Sequence, residues 1–297
     1  MADSIWLIGN KGMLGTELSL LLEKSGLPFV GTDCEIDITD TAALEQFAKK
    51  QSVGWIINCA AYTAVDRAEE DAENCRRLNT LGAGNIATCA KSIGARLIHI
   101  STDYVFDGNG NRPYREDDAT NPIGVYGLTK REGELAILEN NPRSYIIRTA
   151  WLYGRHGNNF VHTMLRLMNE RDEIKVVNDQ RGSPTWTFDL ASAVLAFIKN
   201  VDAGKDIPFG IYHYTNEGNI TWFDFAKEIF RQGREGGQIV KDCAVKPCTS
   251  AEYPAKVKRP VYSMLDKSKI KAALGIEVPA WEKSLTEFLK SNDDFKP

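Results

Sequence analysis

No Cys-x-x-Cys pair occurs in the chain; its six cysteines, Cys34, Cys59, Cys75, Cys89, Cys243 and Cys248, stand apart. That scatter excludes a zinc ribbon and dithiol redox chemistry, and the six are expected to be reduced thiols. Positive charge is also in short supply. Lys and Arg number 36 against 40 Asp and Glu, a net charge of −4, so the field that duplex nucleic acid or an anionic membrane surface requires is missing. No apolar run approaches the roughly eighteen residues of a membrane-spanning helix. The start, Met1-Ala2-Asp3-Ser4, has no basic segment ahead of its apolar run, so a cytoplasmic protein without a targeting segment is expected. Internal repeats and low-complexity tracts are absent, and His99, His156, His162 and His213 lack metal-ligand spacing.

What is present suits a packed core. The chain is 43% hydrophobic, and 6 Trp, 10 Tyr and 12 Phe supply enough apolar area to exclude disorder. At 297 residues it has room for about two domains or one large α/β unit. The first half alternates short β-branched runs with helical patterns, the mark of a doubly wound parallel sheet covered by helices. Strands are expected at 5–8, 29–33, 55–58, 96–100 and 144–148, with helices at 13–24, 41–51, 72–93 and about 126–139. Beyond residue 150 the alternation loosens; 160–171, 188–199, 222–231 and 281–289 read as helices and 210–214 as a strand. We therefore expect a cofactor domain over 1–150 with returning segments near 177–220, and a smaller, discontinuous α/β substrate domain over 151–176 and 221–297.

Gly9-Asn10-Lys11-Gly12-Met13-Leu14-Gly15 is a G-x-x-G-x-x-G run directly between the first strand and the first helix. Glycines there let the backbone approach a pyrophosphate, whose charge then faces the free N–H groups of a helix N-terminus. Asp33 ends the second strand where an acidic residue binds the adenosine ribose and favours NADH. Lys11 points the other way, toward a 2′-phosphate and NADPH. A nicotinamide dinucleotide is expected and the choice stays open. Asp37-Ile38 and Cys59-Ala60-Ala61 follow the second and third strands and join the same expected cleft.

Tyr126 and Lys130 stand four apart on an expected helix and therefore share a face. A phenol with an ordinary pKa of about 10 is a poor acid or base near neutrality, and a neighbouring ammonium lowers that value. Such a pair suits general acid–base work on a carbonyl and its alcohol. Ser101-Thr102-Asp103 follows the fourth strand, and a hydroxyl there can hold the same substrate oxygen.

Combined with the glycine loop, this constellation resembles the extended short-chain dehydrogenase/reductases, over nearly the whole chain. Five stretches in order are similar to dTDP-4-dehydrorhamnose reductases: Cys59 to Asp66, Ser101 to Gly108, Arg148 to Gly154, Asp179 to Thr185 and Arg259 to Asp266. The resemblance implies a Rossmann-type enzyme that reduces the 4-keto group of dTDP-4-dehydro-L-rhamnose with NADPH or NADH, for cell-surface polysaccharide. Thr102, Tyr126 and Lys130 would form its catalytic triad, with Tyr126 giving the proton. Tyr62 and Ser101 would join the cofactor side. Thr63, Val65, Asp103, Tyr104 and Trp151 would line the sugar pocket. Arg181 and Arg259 would either clamp the diphosphate or serve as structural arginines, and Asn79 would either support the active-site backbone or be an ordinary polar helix residue. The implied partners are a nucleotide-sugar substrate and, as one arrangement, a second copy of the chain.

One departure concerns magnesium, which some members of this family place at a dimer interface. Glu17 matches one ligand position, but Phe188 occupies the other, and an aromatic ring cannot ligate Mg²⁺; no metal is expected. A nucleotide-sugar 4,6-dehydratase or 4-epimerase shares the loop and the Tyr-Lys pair. Dehydration needs further acid–base groups, and Asp103-Tyr104 offers a phenol where those enzymes carry a carboxylate. A non-catalytic binding subunit, like the regulatory subunit of mammalian methionine adenosyltransferase, also resembles these reductases, but here Thr102, Tyr126 and Lys130 are intact.

Overall fold

The computed structural model describes residues 4–253 and 255–291. Met1, Ala2 and Asp3, read above for a targeting segment, lie outside the described residues. The first half runs β1 (Ser4–Ile8), α1 (Met13–Lys24), β2 (Phe29–Thr32), α2 (Thr41–Gln51), β3 (Val53–Asn58), α3 (Val65–Ala68), α4 (Ala72–Arg76), α5 (Ala83–Ser92), β4 (Arg96–Thr102), α6 (Val125–Asn140) and β5 (Ser144–Thr149). There follow β6 (Leu152–Tyr153), α7 (Phe160–Glu170), β7 (Glu173–Val177), β8 (Arg181–Gly182), β9 (Thr185–Trp186), α8 (Thr187–Asp202) and β10 (Gly210–His213). The last elements are β11 (Ile220–Thr221), α9 (Trp222–Glu235), β12 (Ala244–Cys248), α10 (Ser268–Leu274) and α11 (Trp281–Lys290).

Six strands form one sheet in the order β10-β5-β4-β3-β1-β2, all parallel. Helices cover both faces, so the strands read as continuous apolar runs instead of alternating ones. On one face Leu14, Leu18 and Leu22 of α1 pack with Leu190, Val194 and Phe197 of α8. On the other, Leu44 of α2, Ile86 and Ala87 of α5 and Ile137 of α6 close over Trp6, Ile56 and Ile146. The order reverses between β1 and β3, and the crevice beyond the carboxyl ends of such strands is where open sheets of this kind take ligands. A separate core joins α7, α9 and α11 through Met164, Leu165, Phe225, Ile229, Leu285 and Phe288.

Two differences from expectation have physical causes. The single helix expected over 72–93 is α4 and α5 separated by a π-helical stretch, Arg77–Gly82. That extra width brings Asn79 toward the site, as such insertions often do. Within 221–297, expected as part of the substrate domain, α10 turns to the sheet. Ile270, Leu274 and Val278 pack into the sheet core beside α8, because the apolar stripe of α10 has that face to bury.

Candidate active site

At the end of β1 the chain turns through Gly9, whose φ of +78° few side chains tolerate. A Cβ at Gly9 would stand 2.7 Å from the backbone nitrogen of Ala60, and one at Gly15 would run into the carbonyl oxygen of Gly9. Gly12 precedes α1 and provides no side-chain cap, so the first N–H groups of the helix stay available. Beyond them lies a cleft of about 510 Å³ lined by Gly9, Lys11, Gly12, Asp33, Asp37, Ile38, Cys59, Ala60 and Ala61. Main chain that no side chain can fill, beside a free helix N-terminus, fits a dinucleotide pyrophosphate.

Several residues expected here turn elsewhere. Asn10 lies against Gly31, Leu14 packs into the core, and Met13 is half-buried near Gly157. The Tyr62 hydroxyl donates to Asp71 at 3.2 Å. Arg77 was missed: its Nη1 lies 3.1 Å from Thr39 Oγ1 and 3.5 Å from Asp37 on the cleft wall. Lys11 pairs with Glu35 at 3.3 Å across the same rim.

β4 ends at Thr102, which caps a short 3-10 turn over Asp103–Val105. Its Oγ1 accepts from Tyr104 N at 3.2 Å, donates to Asp103 at 3.0 Å, and stands within hydrogen-bond reach of the Tyr126 phenol. Gly127 makes that approach possible, since a Cβ there would collide with the carbonyl of Tyr104. The rings of Tyr104 and Tyr126 meet edge-on at 5.5 Å. Although part of its ring surface stays open, burial around the oxygen raises the Tyr126 phenol above its ordinary value, opposed by the Thr102 hydrogen bond and reinforced by Asp103. Lys130 is 2% exposed and donates to Ile100 O at 2.7 Å, with His99 Nε2 at 3.1 Å. Burial pushes its ammonium down to about 8, against the pull of Glu134. The expected lysine-to-phenol coupling is not among the leading influences on Tyr126, because the lysine reaches past the ring to the backbone of β4.

Asp103 is 3% exposed, and burial pushes it up to about 7 despite hydrogen bonds from Thr102 and Ser263. Ser101 does not join the cofactor cleft through its hydroxyl, which donates to Glu134 at 2.6 Å. Neighbours on a strand face opposite ways, so only one of the pair 101–102 can face the site. Glu134 in turn takes two bonds from Arg148, at 2.8 and 2.7 Å, with both side chains fully buried. Asn79 supports the backbone. It accepts from Tyr62 N at 2.8 Å and donates to Tyr62 O and Thr129 Oγ1 at 3.1 and 3.2 Å, tying the loop after β3 to α6.

A second cavity of about 1030 Å³ is walled by α3, α7, the start of α9 and the segment 250–261. Arg259 holds Asp66 at 2.6 Å and reaches the Tyr104 hydroxyl at 3.5 Å; Lys256 holds Glu70 at 2.7 Å. Phe160, Met164 and Trp222 give the cavity an apolar wall. Trp151, at a φ of +49°, stacks its indole on Trp222 at 3.7 Å and 11°, over a glycine, Gly182, whose Cβ would meet the ring. Arg181 is not brought to Arg259: its guanidinium is taken by Asn219 at 3.1 and 3.3 Å. Thr63 is exposed in the loop before α3, and Val65 is half-buried in its first turn.

A family model described as RmlD substrate binding domain matches residues 3–293. The chain belongs to this family. Among relatives, a dTDP-4-dehydrorhamnose reductase of Streptomyces griseus is 45% identical over 287 residues, 95% of this chain and 92% of the relative. A dTDP-4-keto-6-deoxy-D-glucose reductase of Streptomyces niveus is 38% identical over 286 residues, 95% of each. A crystal structure of dTDP-4-dehydrorhamnose reductase from Bacillus anthracis in complex with NADP matches with a TM-score of 0.91 at 36% identity, covering 98% of this chain and 100% of that one. As for the magnesium position of some RmlD-family members, Glu17 is buried and raised by that burial, and Phe188 packs on Trp186 at 4.9 Å.

Proposed function

We propose that this chain reduces the 4-keto group of dTDP-4-dehydro-L-rhamnose, using NADPH or NADH, to make dTDP-L-rhamnose for cell-surface polysaccharide. The observation that carries the reading is the set of Thr102 at the end of β4 with Tyr126 and Lys130 on α6, the lysine donating to the backbone of β4, on a chain 45% identical to a reductase of that name. The bound dinucleotide supplies the hydride. Thr102 and Tyr126 hold the keto oxygen, and Tyr126, kept protonated by its raised pKa, gives it a proton. The protonated Lys130 supports the phenolate that remains, in a site where little water screens charge. Asp103, Tyr104 and Trp151 shape the sugar pocket, and Arg259 exchanges Asp66 for a diphosphate oxygen. The cofactor domain is residues 1 to about 150 with about 177–220 and α10; the rest of 151–297 is the substrate domain.

The test is nicotinamide absorbance with each cofactor and enzymatically made dTDP-4-dehydro-L-rhamnose, in wild type and Tyr126→Phe. Sugar-dependent oxidation that falls by about 10²- to 10⁴-fold in the variant is expected. No oxidation with either cofactor overturns this substrate. The Streptomyces niveus relative gives the second reading, a different 4-keto-6-deoxy sugar nucleotide, tested in the same assay with dTDP-4-keto-6-deoxy-D-glucose. A cytoplasmic homodimer completes the proposal, and light scattering of the purified protein decides its second half.

A further inference from the structure

Behind the catalytic centre runs a buried chain of contacts that the proposed reaction does not use. Ala60 donates its backbone N–H to Asn58 Oδ1 at 3.0 Å, Asn58 Nδ2 stands 2.9 Å from His99 Nδ1, and His99 Nε2 stands 3.1 Å from Lys130 Nζ. Asn58 and His99 are each 1% exposed and Lys130 is 2% exposed, so water does not replace any of these partners. A backbone N–H can only donate, which fixes the oxygen of Asn58 toward Ala60 and its amide NH₂ toward His99. The NH₂ can also only donate. Nδ1 therefore accepts, and the single proton of the neutral ring sits on Nε2, aimed at Lys130.

An ammonium has three N–H groups and no lone pair, whereas an amine can accept from Nε2–H while still donating to Ile100 O at 2.7 Å. We propose that Asn58 and His99 are positioning residues that fix a ring N–H toward Lys130 and so favour its amine over its ammonium. The catalytic consequence rests on the reductase reading, but the ring tautomer rests on the geometry alone. The other groups around Nζ are Cys59 after β3, Cys75 on α4, and Tyr126 and Glu134 one turn to either side on α6. Burial keeps both thiols neutral, and both Glu134 oxygens are engaged by Arg148. Burial also holds the His99 ring well below its ordinary value and lowers Lys130, so the tautomer acts in the same direction as burial.

The experiment is ring-nitrogen NMR of the cofactor-free full chain, labelled at its 4 histidines, near neutrality and at about pH 9, with the His99 signal assigned by its loss in His99→Gln. It is paired with pH profiles of kcat/KM for sugar reduction. Reaction needs charged Lys130, so its deprotonation sets the basic limb. In Asn58→Asp the carboxylate still accepts from Ala60 but also accepts from Nδ1–H. The ring proton then moves to Nδ1, Nε2 accepts from the ammonium, and the limb rises by about one pH unit. His99→Gln keeps an acceptor for Asn58 and an N–H for Lys130 and leaves the limb in place; His99→Leu removes both and raises it.

A wild-type ring carrying its proton on Nε2, with these limb shifts, supports the proposal. A wild-type ring protonated on Nδ1 overturns it, as does a limb unmoved in both Asn58→Asp and His99→Leu. Should Asn58→Asp not fold, the contrast between His99→Gln and His99→Leu decides. Absence of any sugar reduction would reject the reductase reading, and the ring spectrum would still decide the tautomer.

Discussion

The recess beside the glycine loop and the recess around Arg259 are made of different material. The cleft beside the glycine loop has main chain at its centre, Gly9, Gly12, Ala60 and a free helix N-terminus, with the side chains of Lys11, Asp33, Asp37 and Arg77 around it. The cavity around Arg259 is built of side chains, with Arg259 and Lys256 held by Asp66 and Glu70 and the Trp222 indole, backed by Trp151, at one wall. Main chain recognises what every dinucleotide shares, whereas side chains can be changed one at a time without moving the sheet. The difference teaches where a cofactor is fixed by the fold and where a sugar nucleotide is selected by sequence.

That contrast presupposes an intact sheet, and one fully buried pair ties β5 to α6 beneath it. Arg148→Met leaves Glu134 charged, fully buried and short of its main partner, and a loss of about 3–5 kcal/mol is expected in urea denaturation. Asp103→Asn sharpens the picture at the junction. The folded carboxyl, at about 7, lies above its unfolded value, so wild-type stability falls as pH rises from roughly 4 to 7 and levels off above. The variant cannot ionise, and at about pH 8 it should be more stable by a few kcal/mol, a gap that closes near pH 4. A gap independent of pH would reject that cause.

Smaller effects separate the recesses directly. Arg259→Gln should raise the sugar-nucleotide KM by about 10- to 100-fold, as loss of a charged hydrogen bond does, with cofactor affinity unchanged. Gly15→Ala should do the reverse, weakening cofactor by about 1–3 kcal/mol in a fluorescence titration because a Cβ overlaps the Gly9 carbonyl. Equal damage to both ligands from either change would mean the recesses are not independent. The least effect belongs to Lys11→Ala. Its pair with Glu35 is largely exposed, so stability should move by less than about 1 kcal/mol, while the NADPH-to-NADH preference moves only if Lys11 meets a 2′-phosphate.

Legibility in the sequence followed the same division. Main-chain demands leave local marks: glycines where backbone must turn or approach, and β-branched runs where strands are covered on both faces. The sheet, the loop at Gly9–Gly15 and the four-residue spacing of Tyr126 and Lys130 were therefore readable. Side-chain pairings over long separations were not. Arg259 meets Asp66 across 193 positions and Lys130 meets His99 across 31, and nothing local marks either pair. The π-helical break at Arg77–Gly82 carries Gly82 but no residue that marks a widened turn as distinct from a continuous helix, so Arg77 and the reach of Asn79 were hidden. The side chains of Ser101 and Arg181 were hidden for a simpler reason, since a strand end or loop read correctly still leaves a side chain free to turn to Glu134 or Asn219.

The stacked indoles of Trp151 and Trp222 give the molecule an internal optical gauge. Two rings 3.7 Å apart and within 11° of parallel share their excited states, and the resulting circular-dichroism couplet depends steeply on their spacing and angle. The pair sits where the cavity wall meets the turn after β5, held by a backbone that few non-glycine residues adopt. A ligand that shifts this wall will change the couplet before any chemistry occurs, so occupancy of the cavity can be followed by light in the unmodified protein.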